Sequence, residues 1–202
     1  MRPRFELLDA DLIDRVVDEA LQLLVRPGIK VEEPEAIALL VANGATADGE
    51  RVAIPEAMVR RALDTAPGTF NLHDRAGNPA VKYGQGAVHF DPGSSGVQVL
   101  GPETLDERRS QAADLARIIR VADALPAYDA VSTAIVAHDV PTEIGDMYRL
   151  FLCLVNSGKP VVTGAFSPRG SALMIDLLAL DAGGRAALAE KPRGDVSRLA
   201  TN

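Results

Sequence analysis

Aromatic side chains are scarce in this 202-residue chain, at 4%, and tryptophan is absent. A stacking platform for bases or sugars is therefore poorly supplied. Cysteine is almost missing as well: Cys153 stands alone. That excludes an intrachain disulfide framework and a multi-cysteine zinc site, and it suits a cytoplasmic protein. Basic residues are outnumbered, 21 Lys and Arg against 28 Asp and Glu, for a net charge of -7. Phosphate backbones and anionic membranes are held by basic patches, so neither nucleic acid nor a membrane is an expected partner. Histidine occurs three times, dispersed and without an HExxH pattern, which gives no case for a metal. No apolar run reaches the roughly 18 residues of a membrane span. Met1-Arg2-Pro3-Arg4-Phe5-Glu6 has no apolar stretch behind it and does not read as a signal peptide. GxGxxG, Walker and GxSxG patterns are missing too, so neither a phosphate cradle nor a hydrolase elbow is supported.

What is present is apolar content, 47% of the chain. That is enough to bury a core and to exclude disorder for most of the length. The chain is organised around residues 87–165. Ala87-Val88-His89-Phe90-Asp91-Pro92-Gly93-Ser94-Ser95-Gly96 is an apolar β-type run meeting a Gly/Ser turn. Tyr128 to Val136 and Pro160 to Ala165 are two further short apolar runs. Helix-period segments separate them, Gln111 to Ala124 and about Glu143 to Asn156, the latter with Thr142 as its expected cap. This alternation predicts βαβ units of a parallel sheet. In such sheets chemistry sits at the carboxyl ends of the strands. The turns found there carry Asp91, Ser94, Ser95, His138, Asp139, Thr163 and Phe166.

Residues 1–86 read differently, as a small α+β N-terminal subdomain. Leu12, Ile13, Val16, Val17, Ala20, Leu23 and Leu24 recur at spacings of three and four and predict one buried helical stripe. Pro34 and Pro55 open two more helices. Asp48-Gly49 reads as a hairpin turn, and Thr69 to His73 with Ala80 to Tyr83 as two strands. The charges here, such as Glu32, Glu35, Arg60 and Arg61, read as solvated faces. Cys153 lies in the apolar helix face Leu150-Phe151-Leu152-Cys153-Leu154-Val155 and is expected to be an inert core thiol.

Several segments, in order, resemble the trimethylamine methyltransferase family of the MttB type. They are Gly28-Ile29-Lys30-Val31-Glu32-Glu33-Pro34-Glu35-Ala36, Asp48-Gly49-Glu50-Arg51-Val52-Ala53-Ile54-Pro55 and Ala66-Pro67-Gly68-Thr69-Phe70-Asn71-Leu72-His73. Phe90-Asp91-Pro92-Gly93, Lys159-Pro160-Val161-Val162-Thr163-Gly164 and Glu190-Lys191-Pro192 follow. No single tag is specific; the order and spacing carry the resemblance. It implies an α/β fold: a TIM (β/α)8 barrel, here its first three βα units over 87–192, preceded by the subdomain 1–86. It implies transfer of a methyl group from a methylated amine, trimethylamine or a quaternary amine such as glycine betaine, to a corrinoid. The corrinoid is carried by a partner protein, and no cofactor is bound directly.

A complete barrel needs eight strands and about 250 residues. Arg193 to Asn202 is polar, lacks a strand period and reads as a divergent tail, so truncation is expected, with the catalytic residues beyond Asn202. An unpaired sheet edge would then favour a homo-oligomer or another partner. The rival reading is a non-catalytic fragment acting as an interaction or assembly module. A weaker rival is an unrelated barrel enzyme binding an anion at Gly93-Ser94-Ser95-Gly96. Under the family reading, Phe90 and Asp91 are candidates for caging a methylated cation; the alternative is that Asp91 caps the Pro92-Gly93 turn. Ser94, Ser95 and Gly96 either line the barrel mouth or form a plain turn, and Thr163 after the third run is a further substrate-binding candidate. His138 with Asp139 is either a pocket hydrogen-bond pair or solvent-exposed, and Phe166 either walls a cage or packs in the core.

Overall fold

The computed structural model describes residues 7–198. The chain forms two compact units, divided after Pro67. In the first, α1 (Ala10–Val25) is followed by β1 (Ile29–Lys30), α2 (Pro34–Ala42), β2 (Thr46–Asp48), β3 (Arg51–Ala53) and α3 (Glu56–Thr65). Asp9 caps α1 by accepting the Leu12 N–H at 2.7 Å. Gly49, at φ 57°, turns β2 into β3, and β1 adds antiparallel to the outside of β3. Gly28 sits at φ 78° with room for no side chain, since a Cβ there would stand 2.5 Å from the Val52 carbonyl oxygen.

The apolar stripe of α1 is not the buried face that its spacing predicts. Only Leu21 is buried on this helix, while Leu12, Ile13, Val16, Val17 and Leu23 are exposed. The helix packs on α3, and strands of two or three residues give the unit too little material to cover a four-turn stripe.

The second unit opens with an antiparallel hairpin, β4 (Thr69–His73) and β5 (Pro79–Gly84). A two-stranded ribbon follows, β6 (Gln98–Leu100) with β7 (Glu107–Arg109). Then come α4 (Ala112–Ala124), β8 (Val131–Ser132), α5 (Thr142–Asn156), β9 (Val161–Ala165), α6 (Pro168–Ala182), α7 (Arg185–Glu190) and β10 (Gly194–Arg198). β8, β9 and β10 form a parallel sheet in that order. Among the described residues the fold is mixed α/β with seven helices, and no sheet closes into a barrel.

Strand side chains alternate between faces. Val131, Val161, Ala165 and Val196 join Leu115, Ile119, Leu150, Cys153, Met174 and Leu178 of the helices in the main core. Ala130 and Val162 face the other way, where Leu72, Val81 and Tyr83 of the hairpin pack on them. The hairpin thus belongs to the second unit, although the change of texture in the sequence falls after it.

Three expectations change. The run Ala87 to Gly96 is no regular strand, because Gly93 (φ 79°) and Ser95 (φ 62°) take left-handed conformations that break the pleat. It still follows β8 in parallel: Phe90 O accepts the Asp129 N–H at 3.0 Å, Gly96 N–H donates to Ala134 O at 2.9 Å, and Gly96 bridges to Ile135. The polar stretch after Pro192, expected to lack a strand, supplies β10, in register from Gly194 opposite Val161 to Arg198 opposite Ala165. Backbone pairing with β9 overrides the missing apolar run. Thr142 makes no capping bond; it is the first helical residue of α5, and Pro141 holds the cap position.

The entry into α4 is fixed by charge. Arg108 grips Asp114 with two hydrogen bonds of 2.7 Å, and Asp114 also accepts the Gln111 N–H at 3.0 Å. The Arg108 guanidinium, followed by that backbone bond, holds the Asp114 carboxyl below the usual carboxylate range despite its burial. A depressed folded-state value means stability that is present above the unfolded value near pH 4 and lost as pH falls through the folded one. Asp114→Asn is therefore expected to flatten the acid limb of the unfolding free energy. Urea midpoints between pH 5 and pH 2.5 would check this; an unchanged slope would exclude Asp114 as a contributor.

Candidate functional site

The carboxyl end of β8, the middle of β9 and the irregular 91–96 segment line a cleft of about 170 Å³. Its walls are Asp91, Gly93, Ser94 and Ser95 on one side, Ser132 at the end of β8, and Val162, Thr163 and Gly164 on β9. Asp91 Oδ1 accepts the Gly93 N–H at 2.8 Å, a local Asx-type turn. The Ser132 hydroxyl donates to the Gly93 carbonyl. The Ser95 N–H donates to Thr133 O at 3.4 Å. Thr133 and Thr163 join through their hydroxyls at 2.9 Å across the two strands. The lining therefore carries one carboxylate, several hydroxyls and no cationic side chain.

Behind the strand ends sits a buried ion pair on α5. Arg149 is 2% exposed and contacts Asp146 at 3.0 Å. Its guanidinium also reaches the Thr133 and Ile135 carbonyls, both at 3.4 Å. It lies over the Phe166 ring, 5.2 Å from the centroid. Asp146 Oδ2 accepts the Phe166 N–H at 2.7 Å.

The hairpin-covered face of the sheet is aromatic and acidic. Phe70 and Tyr83 stack at 4.8 Å, and His89 meets Tyr83 edge-on at 5.9 Å. His89 Nδ1 faces Asp129 Oδ2 at 3.1 Å, and its Nε2 faces Lys82 O at 2.9 Å. Burial, then the nearby carboxylates of Asp195 and Asp91, push the Tyr83 phenol above its ordinary value. Asp195 is the β10 partner of Val162, so the segment read as a divergent tail brings a carboxylate to this face.

Of the residues singled out in the sequence, Asp91, Ser94, Ser95 and Thr163 come together at the cleft. The Phe90 ring is 62% exposed and only its carbonyl is engaged. His138 is exposed; its backbone N–H donates to Ser110 O at 3.0 Å, and its ring has a long contact of 3.5 Å with the Ser110 hydroxyl. Asp139 is not its partner: it accepts the Ala112 N–H at 2.8 Å, at the start of α4. Phe166 lies under Arg149 and outside the cleft lining. Sequence reasoning missed Ser132, Tyr83, Asp195, Asp146 and Arg149. Only the last pair left a signal: Asp146 and Arg149, three residues apart, share the stripe of α5 that continues through Leu150 and Cys153.

Two wider hollows carry less chemistry. One, about 650 Å³, lies within the first unit between α1 and Glu56. Another of about 650 Å³ borders Arg75, Asp123, Asp129 and Lys159. Its polar groups are largely committed: Lys159 Nζ donates to the Ala122 and Leu125 carbonyls at 2.8 and 2.7 Å, and Asp123 accepts from Ser157 and Gly158. No cluster of three metal-ligating side chains occurs among the described residues, and none of their helices is long and apolar enough to cross a membrane.

Cys153 is fully buried, its thiol directed at Ser132 O. Burial pushes it up to about 12. At pH 8 it therefore carries on the order of a thousandfold less thiolate than an ordinary cysteine. Iodoacetamide is expected to label it at least that much more slowly in buffer than in urea; comparable rates would contradict the buried, inert reading.

Fold and cleft together define a mixed α/β protein with a small polar cleft beside its parallel strands. The chain belongs to the trimethylamine methyltransferase (MTTB) family, whose sequence model matches residues 1–194. It is 29% identical over 174 residues to the trimethylamine methyltransferase MttB of Desulfitobacterium hafniense, covering 85% of this chain and 35% of that protein. It is 32% identical over 149 residues to the Methanosarcina thermophila trimethylamine methyltransferase MttB, covering 69% of this chain and 30% of the relative. A glycine betaine methyltransferase of Desulfitobacterium hafniense is 23% identical over 191 residues, 94% of this chain and 40% of its own length. The chain thus spans about a third of the length of these curated relatives.

Proposed function

We propose that this chain forms the amine-binding first part of a methylamine methyltransferase, built as the opening βα units of a TIM barrel. The observation that carries the reading is the composition of the cleft: one carboxylate, Asp91, with hydroxyls and no cation, beside the carboxyl end of β8, the side of a parallel sheet where α/β proteins hold ligands. Such a lining attracts a small methylated ammonium, trimethylammonium or a quaternary amine such as glycine betaine, and has nothing to hold a phosphate. About 170 Å³ suits an ammonium head group and is far too small for a corrinoid macrocycle, which agrees with a corrinoid carried by a partner protein. That partner would supply a reduced cobalt whose electron pair takes the methyl carbon, while the amine nitrogen keeps the pair of the C–N bond that breaks. This chain's part is to orient the cation. Asp91 offsets its charge, and the Ser94-Ser95 turn and Ser132 shape the wall around it.

The test is a two-dimensional NMR titration of the chain with tetramethylammonium, trimethylammonium and glycine betaine, against sodium chloride at matched ionic strength. Saturable shifts at Asp91, Ser95 and Gly164 are expected, with an affinity loss of about fivefold or more in Asp91→Asn, roughly the worth of one charge contact. Salt-like, unsaturable shifts would overturn the reading. A second reading, an assembly module, is favoured by one observation: β10 has no strand on its outer side among the described residues, an edge that invites pairing. Sedimentation at tens of micromolar separates the two, because a monomer there leaves the edge reading without support.

A further inference from the structure

We propose that Arg149 and Asp146 are a positioning pair that holds all three walls of the cleft in register, an inference resting on the ammonium-binding reading of that cleft. One Arg149 nitrogen reaches Thr133 O and Ile135 O just beyond β8. Thr133 O also accepts the Ser95 N–H, so the guanidinium and the Ser94-Ser95 wall share an acceptor. The other terminal nitrogen binds Asp146, whose second oxygen takes the Phe166 N–H at the end of β9. Helix α6 begins close by: a Cβ on Gly170 would stand 3.1 Å from Asp146 Oδ2. One pair on α5 thus ties the segments after β8 and β9 and, through Thr133, the irregular loop beside them.

Stability alone does not account for this arrangement. The side chains of Arg149 and Asp146 are 3% and 13% exposed, and taking both charges out of water cancels most of their attraction. A well-packed apolar pair would hold the helix to the sheet as well. It could not grip carbonyl oxygens from a planar fork, which is what fixes direction. The pair itself lies outside the cleft lining, so its effect on a ligand passes through the backbone it orients.

The experiment compares the wild-type chain with the double variant Asp146→Leu/Arg149→Met and with Arg149→Lys. The double variant is expected to fold with a midpoint close to wild type, since no charge is left unpaired. The amides of Ser95 and Gly96, whose own partners are untouched, are expected to exchange at least roughly tenfold faster. Tetramethylammonium affinity is expected to fall about fivefold or more as the walls loosen, and Arg149→Lys to keep part of both. Wild-type exchange together with wild-type affinity in the double variant would reduce the pair to a structural one and overturn the proposal. If the wild type binds no ammonium, the functional reading falls, and the exchange of Ser95 and Gly96 still decides whether the pair positions the loop. If the double variant does not fold, the same exchange in Arg149→Lys decides it, unchanged protection counting against.

Discussion

Arg193→Met is expected to lower the unfolding free energy by about 3 kcal/mol, the lower end of what removing one partner of a buried ion pair costs. Arg193 is 4% exposed. Its guanidinium pairs with Asp181 on α6 and donates to Ser157 O at 2.6 Å, while its own carbonyl accepts the Val161 N–H at 2.9 Å. It therefore locks the start of β10 to β9 and to the end of α5. Methionine fills similar space but leaves the Asp181 carboxylate, 19% exposed, short of a cation. Arg75, 3.3 Å from the other Asp181 oxygen and half exposed, softens the loss. So does the Arg193 Nε, which has no acceptor and whose removal costs nothing. Urea unfolding followed by circular dichroism measures this directly. A loss under about 1 kcal/mol, the scale of an exposed pair, would mean that water reaches the site and that β10 is not held as described.

Leu150→Ala is expected to cost about 2–5 kcal/mol, the range for emptying a leucine site in a packed core. The effect belongs in the upper half of that range. Leu150 has no exposed surface and sits in the cluster shared by α4, α5, α6 and the parallel sheet. Its neighbours there include Val131, Val161 and Ile119, branched side chains on elements pinned by backbone hydrogen bonds, which relax poorly into a void. Leu150→Met, nearly volume-conserving, is the control and should cost less than about 1.5 kcal/mol. Equal losses in the two variants would point to a shape requirement rather than a cavity. A loss near zero in Leu150→Ala would mean that the helices are not packed on the sheet in solution.

Much of the architecture was legible in the residues. Pro34 in the first turn of α2 and Pro55 at the cap of α3 delimit helices through local backbone chemistry. The Asp48-Gly49 hairpin and the strand at Val161 to Ala165 follow from turn chemistry and from a short apolar run. The candidate site was half legible. The rule that ligands gather at strand ends found Asp91, Ser94, Ser95 and Thr163, because those turns are visible as Gly/Ser/Thr punctuation. For His138 and Phe166 it left two readings open, and the structure exposes the first and sets the second under Arg149.

Sequence by itself determined what depends on neighbours along the chain: helix periods, turns and the family's ordered motifs. Tertiary structure decided what depends on partners far away in sequence. It made a strand of Gly194 to Arg198, because pairing with β9 supplies the hydrogen bonds that its own residues do not advertise. It denied one to Ala87 to Gly96, where left-handed Gly93 and Ser95 outweigh apolar content. It left the α1 stripe exposed, and it buried Arg149 and Arg193 against Asp146 and Asp181. Burial is a property of what surrounds a side chain, so a charged residue in the core reads in sequence like any other surface charge.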